Sequence, residues 1–145
     1  MLETIVQMLQ NGGARDEALA MLKAARRFMP SQPTLVPIGR AWRLGELLLD
    51  ADAHLYAVGH VTRAIEPKDF NADKTVAGEQ RREEQRAAAR GPFERGEVVN
   101  YGFERMQLDD PSHPLVRTGD QLFVGTVPLE AYLTDRAKLL IEVSS

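Results

Sequence analysis

The stretch Ala41-Trp-Arg-Leu-Gly-Glu-Leu-Leu-Leu49, Asp50-Ala-Asp-Ala-His54 and Leu55-Tyr-Ala-Val-Gly-His-Val-Thr-Arg-Ala-Ile65 decides the fold. Its two flanks are rich in aliphatic, aromatic and β-branched residues, which suit a pleated, half-buried surface. The aspartates between them suit a tight turn, because a short carboxylate bonds back to nearby backbone N–H groups. The reading is a β-hairpin within residues 35–65. A two-residue turn at Ala51-Asp52 pairs Leu49 with His54, Arg43 with His60 and Arg40 with Arg63. A three-residue loop shifts each partner by one and turns the faces over, so two registers stand. Gly45 and Gly59 lie near each other in either, which marks a bulge or a close backbone approach.

Upstream, residues 1–30 read as a helical hairpin. Leu2, Ile5, Val6 and Leu9 recur at i, i+3, i+4 and i+7 and so share one helix face. Asn11-Gly12-Gly13 ends that helix, since glycine accepts the conformation common just past a helix end. Asp16 is placed to cap a second helix whose stripe is Leu19, Leu22, Ala25 and Phe28, with Met21 and Met29 beside it. Pro30 ends it, and Pro33 and Pro37 keep the connector extended.

Downstream, residues 66–96 form a mobile polar segment. Its stretch 78–90 is rich in helix formers without a large apolar side chain, and such a helix leans on Glu79–Arg82 and Glu83–Arg86 pairs, projects into solvent or frays. Residues 97–145 supply strands and a closing helix. The strands are Glu97-Val-Val-Asn-Tyr101, Leu115-Val-Arg117 and Gln121-Leu-Phe-Val124, the last two joined through Thr118-Gly119-Asp120. Pro128 occupies the first position of the final helix, where a missing N–H costs nothing. Leu129, Tyr132, Leu133, Ala137 and Leu140 make its buried face. The order predicts an α+β fold with a mostly antiparallel sheet of four or five strands covered on one side.

Composition bounds the function. A chain of 145 residues suggests a single domain. Cysteine is absent, which removes disulfides, thiolate zinc sites and a cysteine nucleophile. No apolar run approaches the ~20 residues of a membrane span, so the expectation is a cytoplasmic protein without membrane contact. With 18 basic against 21 acidic residues, a net charge of −3 argues against nucleic-acid binding. Of the 18 basic residues, 14 are arginine and 4 lysine. Arg40, Arg43, His60 and Arg63 sit on the first hairpin, and paired Arg forks there are placed to hold a phosphate or carboxylate. Asp50, Asp52 and His54 offer hard ligands for Mg, Mn or Zn, yet aspartate belongs in turns for backbone reasons alone, and an EF-hand's further ligands are missing. Asp109-Asp110-Pro-Ser-His113 reads as a surface loop for the same reason. The expectation is no metal and no cofactor, with Trp42 in the core.

The segment 36–50, continued by 55–64, 79–90, Gly96-Glu-Val-Val-Asn-Tyr101 and Val127-Pro-Leu-Glu-Ala-Tyr-Leu133, resembles a family of small uncharacterised bacterial proteins, some labelled glutaminase. The likeness spans most of the chain after residue 35, with fewer residues between Val124 and Val127 than relatives carry. The resemblance implies amide hydrolysis. Acyl transfer needs an activated nucleophile, a base and an oxyanion hole. Ser31, Ser112, Ser144 and Ser145 begin no S-x-x-K motif and occupy no G-x-S-x-G, and no pattern supports Thr62 or Thr118. Without a catalytic motif, the leading expectation is a binding or protein-interaction module, dimeric through its N-terminal helices or a sheet edge. The alternative is a small amide hydrolase or anion-binding enzyme using Arg40, Arg43, His60 and perhaps Glu46 on the first hairpin.

Overall fold

The computed structural model describes residues 1–23, 33–67 and 75–145. Its elements are α1 (Leu2–Asn11), β1 (Glu17–Lys23), β2 (Thr34–Leu44), β3 (Leu47–Leu49), β4 (Leu55–Ala57), β5 (His60–Arg63), α2 (Val76–Ala89), β6 (Val98–Tyr101), β7 (Glu104–Arg105), β8 (Leu115–Thr118), β9 (Gln121–Val124), β10 (Val127–Pro128) and α3 (Leu129–Ser144). The fold is α+β. It divides into two compact units that interleave along the chain: Met1–Asp16, Arg40–Val58 and Phe103–Ser145 in the first, Glu17–Gly39 and Gly59–Gly102 in the second.

In the first unit the strand order is β2-β3-β4-β7, and a second small sheet runs β10-β9-β8. Leucines fill the interior: Leu9, Leu44, Leu47, Leu49, Leu55, Leu129 and Leu133 join Ile5, Val6 and Trp42 in one cluster. Helix α1 buries Ile5, Val6 and Leu9 as its spacing requires. It ends at Gly12, where a Cβ would come within 2.7 Å of Ile141 of α3, so the close approach of the two helices needs a residue without a side chain. Helix α3 buries Leu129, Leu133 and Ala137, the expected face, although Pro128 stands one position earlier than expected, at the N-cap. The single tryptophan is a core residue, and its indole N–H donates to the Ala14 carbonyl at 3.1 Å.

The second unit has the strand order β5-β6-β1-β2, with β6 parallel to β1 and antiparallel to β5. Helix α2 packs on it, started by Thr75, whose hydroxyl accepts the Gly78 N–H at 3.0 Å. Here the core is small: Ala18, Ala20, Ala64, Ala87 and Ala88 with Leu35 and Val99. Asn100, fully buried on β6, donates its amide to the Glu17 carboxylate at 3.0 Å and to the Ala18 carbonyl at 3.2 Å, tying β6 to β1.

Three expectations change. Residues 17–23 are a strand and not the second helix of a hairpin; the rest of that expected helix, with Ala25, Phe28 and Met29, lies outside the described residues. Leu19 and Leu22 fit a helical stripe, but Ala18, Leu19 and Ala20 are all buried, and a ladder with β6 (Ala18 opposite Val99, Leu19 opposite Asn100) outweighs a helix propensity of a few tenths of a kcal/mol. Residues 41–49 do not form one strand. A tight turn at Gly45-Glu46 pairs Leu44 with Leu47, made by Gly45 at φ +66°. The Tyr132 hydroxyl fills the space a Cβ there would need, and it accepts the Glu46 N–H at 2.9 Å. Finally, α2 is not polar all round, because its alanines make a buried face; the Glu79–Arg82 and Glu83–Arg86 pairs form as expected, each at 2.6 Å.

Candidate functional site

Of the two hairpin registers, the three-residue loop is the one adopted: Leu49 faces Leu55, and Ala51-Asp52-Ala53 turns the chain with Ala53 at φ 62°. The Asp50 carboxylate organises this loop. Its Oδ1 accepts the N–H groups of Asp52 (3.0 Å) and His54 (2.8 Å), while Oδ2 accepts the Tyr56 hydroxyl at 2.9 Å and lies 3.2 Å from His54 Nδ1. Burial first, then the Asp50 hydrogen bond and charge, raises the Tyr56 pKa. Ligand atoms of Asp50, Asp52 and His54 fall within 4.8 Å of one another. The bonds that Asp50 makes are those of a turn, and Asp52 takes part in them through its backbone N–H.

The pairing expected to bring Arg43 to His60 and Arg40 to Arg63 is not the one adopted. The turn at Gly45-Glu46 sends β2 back along β3, so Arg43 stands opposite Leu48 and not His60. His60 stands opposite Tyr101 and Arg63 opposite Val98, both on β6. Arg40 and Arg43 belong to the first unit, His60 and Arg63 to the second. Arg40 pairs with Asp16 at 2.8 Å, and the Arg63 guanidinium donates to the Gly96 carbonyl at 3.1 Å. Gly59 lies against the Gly102 backbone, where a Cβ would be 2.3 Å from the carbonyl oxygen. That contact sets the start of β5 and lays the His60 ring on Tyr101, with centroids 4.9 Å apart and planes 18° from parallel.

Tyr101 opens a different site. It lines a cavity of about 160 Å³ within the second unit, between α2 and the strands. Leu22, Pro33 and Leu35 supply its apolar strand side, and Gln80, Glu83, Glu84, Ala87 and Arg90 come from α2 and its C-terminal end. The Glu84 carboxylate lies beside the Tyr101 hydroxyl. Burial first, then the charge and polar contact of that carboxylate, pushes the Tyr101 pKa up to about 12. Around it the helix charges are spoken for. Arg82 and Arg86 hold the Glu79 carboxyl below its ordinary pKa, Arg86 also binds Glu83, and the Arg90 guanidinium donates to the Pro33 carbonyl at 2.8 Å.

A signal for this site was present in the sequence. Residues 80, 83, 84, 87 and 90 fall at i, i+3, i+4, i+7 and i+10, one helix face, but that face contains no large apolar side chain and so did not register as packed. Comparison of the chain with protein-family models, curated proteins and solved structures finds no match. The geometry alone therefore carries the functional reading. No helix among the described residues is long and apolar enough to cross a membrane.

Proposed function

We propose that the chain is a binding module whose ligand is a small molecule held in the cavity beneath α2. The reading is carried by one observation: a concave, largely apolar cavity into which a few polar groups converge, Tyr101, Glu84 and Gln80 among them. Binding sites for small molecules have this make-up, an apolar lining that supplies affinity and a few placed polar groups that fix orientation. The volume is suited to a compact ligand, since an apolar cavity of about 150 Å³ takes up benzene. Hydrolysis of an amide would require a nucleophile and a base in hydrogen-bond reach of one another. Tyr101, the hydroxyl of this cavity, is instead held in its neutral form far above neutral pH.

The test is a titration of the full chain with benzene-sized neutral aromatics, followed by amide chemical shifts. Shifts are expected to concentrate in 80–90 and around Leu35 and Tyr101. Leu22→Trp is expected to abolish them with the fold retained, because Leu22 is half exposed and its replacement fills the cavity from the rim. Shifts spread over the surface, or unchanged by Leu22→Trp, would overturn the reading.

A further inference from the structure

Resting on that cavity reading, we propose that the ligand is a small monocation with an apolar body, an aryl- or alkyl-ammonium whose charged head meets Glu84 and Gln80 while its body lies on Leu35 and Ala87. Glu84, Gln80 and Tyr101 line the polar end of the cavity together. An ionised carboxylate only accepts, in about four directions, and the Gln80 amide adds an oxygen beside its own N–H donors. Arg90, the cation of the lining, donates to the Pro33 carbonyl at 2.8 Å.

Charge gives the same answer. Glu83 is neutralised by Arg86 at 2.6 Å and Glu79 by Arg82, whereas Glu84 has the neutral Tyr101 phenol as its partner among the described residues. Glu84 is also half-buried, so its field is screened less than that of an exposed acid. An anionic ligand would meet like charge there. A neutral one would leave the Glu84 charge uncompensated and forgo a charge-assisted hydrogen bond. An ammonium brings three donors and a positive charge, which suits the acceptor-only Glu84 carboxylate.

Three probes with one ring and different heads decide the matter: benzylamine, benzyl alcohol and benzoate, titrated calorimetrically into the full chain near neutral pH. Benzylamine is expected to bind about 10-fold tighter than benzyl alcohol, with benzoate weakest, as a charge-assisted hydrogen bond outweighs a neutral one. Glu84→Gln is expected to bring benzylamine down to the level of the alcohol and leave the alcohol unchanged. Should that variant fold poorly, the salt dependence of the unaltered chain is decisive: the benzylamine preference must shrink as salt rises, while alcohol binding does not. Equal binding of amine and alcohol, insensitive to Glu84→Gln or to salt, would overturn the cation and keep the cavity. Preference for benzoate would reverse the charge assignment, and failure of every probe to bind would remove the cavity reading itself.

Discussion

The two units solve the same packing problem with different side chains. The first closes its interior with leucines from α1, β2, β3, β4 and α3, most of them without solvent exposure. The second closes its interior with alanines from β1 and α2 around Leu35 and Val99. Long aliphatic side chains interdigitate and leave few voids. Short ones let a helix lie close to a sheet, and among the described residues a cavity opens beside Ala87 and Leu35. The difference lies in how each interior is closed: by interlocking leucines in the first, and in the second by close contact of short side chains with a cavity beside it.

The largest expected effect comes from emptying the filled core. Leu133→Ala, at a fully buried position of α3, is expected to lower stability by ~2–5 kcal/mol. Trp42 fluorescence in urea reads this directly, because the indole sits in the same cluster; a loss under ~1 kcal/mol would break the contrast between the units. Next is the reverse change in the second unit. Ala88→Leu, also fully buried, is expected to cost ~1–3 kcal/mol by overpacking, followed by circular dichroism on denaturation. A neutral result would mean that the alanine core has slack throughout and not only at the cavity.

A smaller effect is expected in the β3–β4 loop. Asp50→Ala removes the acceptor for two backbone N–H groups and the Tyr56 hydroxyl, at ~1–2 kcal/mol for this partly exposed set, and Asp50→Asn should recover part of it. The same substitution should bring the Tyr56 pKa back toward its ordinary value, measured by phenolate absorbance. The smallest effect concerns pH. The folded chain raises the Tyr101 pKa from 10.0 to about 12, so folding favours the neutral phenol. The contribution is intact below pH 10 and is lost as pH rises toward 12, since the unfolded chain releases the proton first. Tyr101→Phe should flatten the fall in stability over that window, and an unchanged slope would detach Tyr101 from the Glu84 contact.

Much of the fold was legible because it is written in short-range spacing. The stripes of α1 and α3, the β9 boundaries and the ion pairs of α2 follow from residues three or four apart or from alternation within a few positions. The candidate site was not legible in the same way. Arg40, Arg43, His60 and Arg63 were grouped by assuming one long hairpin, and a single glycine turn at Gly45 dissolved the register that grouping needed. Tyr101 and Glu84, seventeen positions apart, come to line one cavity where α2 packs on the sheet, which no local pattern announces.

The sequence by itself determined the α+β class, the helices α1 and α3, the turn chemistry of Asp50 and the ion-paired face of α2. Tertiary structure alone decided that residues 17–23 extend instead of coiling, that β6 runs parallel to β1, and that a cavity opens beside Tyr101. The physical reason is the range of the interactions. A cap, a turn or an i, i+4 pair is satisfied within its own few residues, whereas one edge of β1 is satisfied only by β6, about eighty residues away.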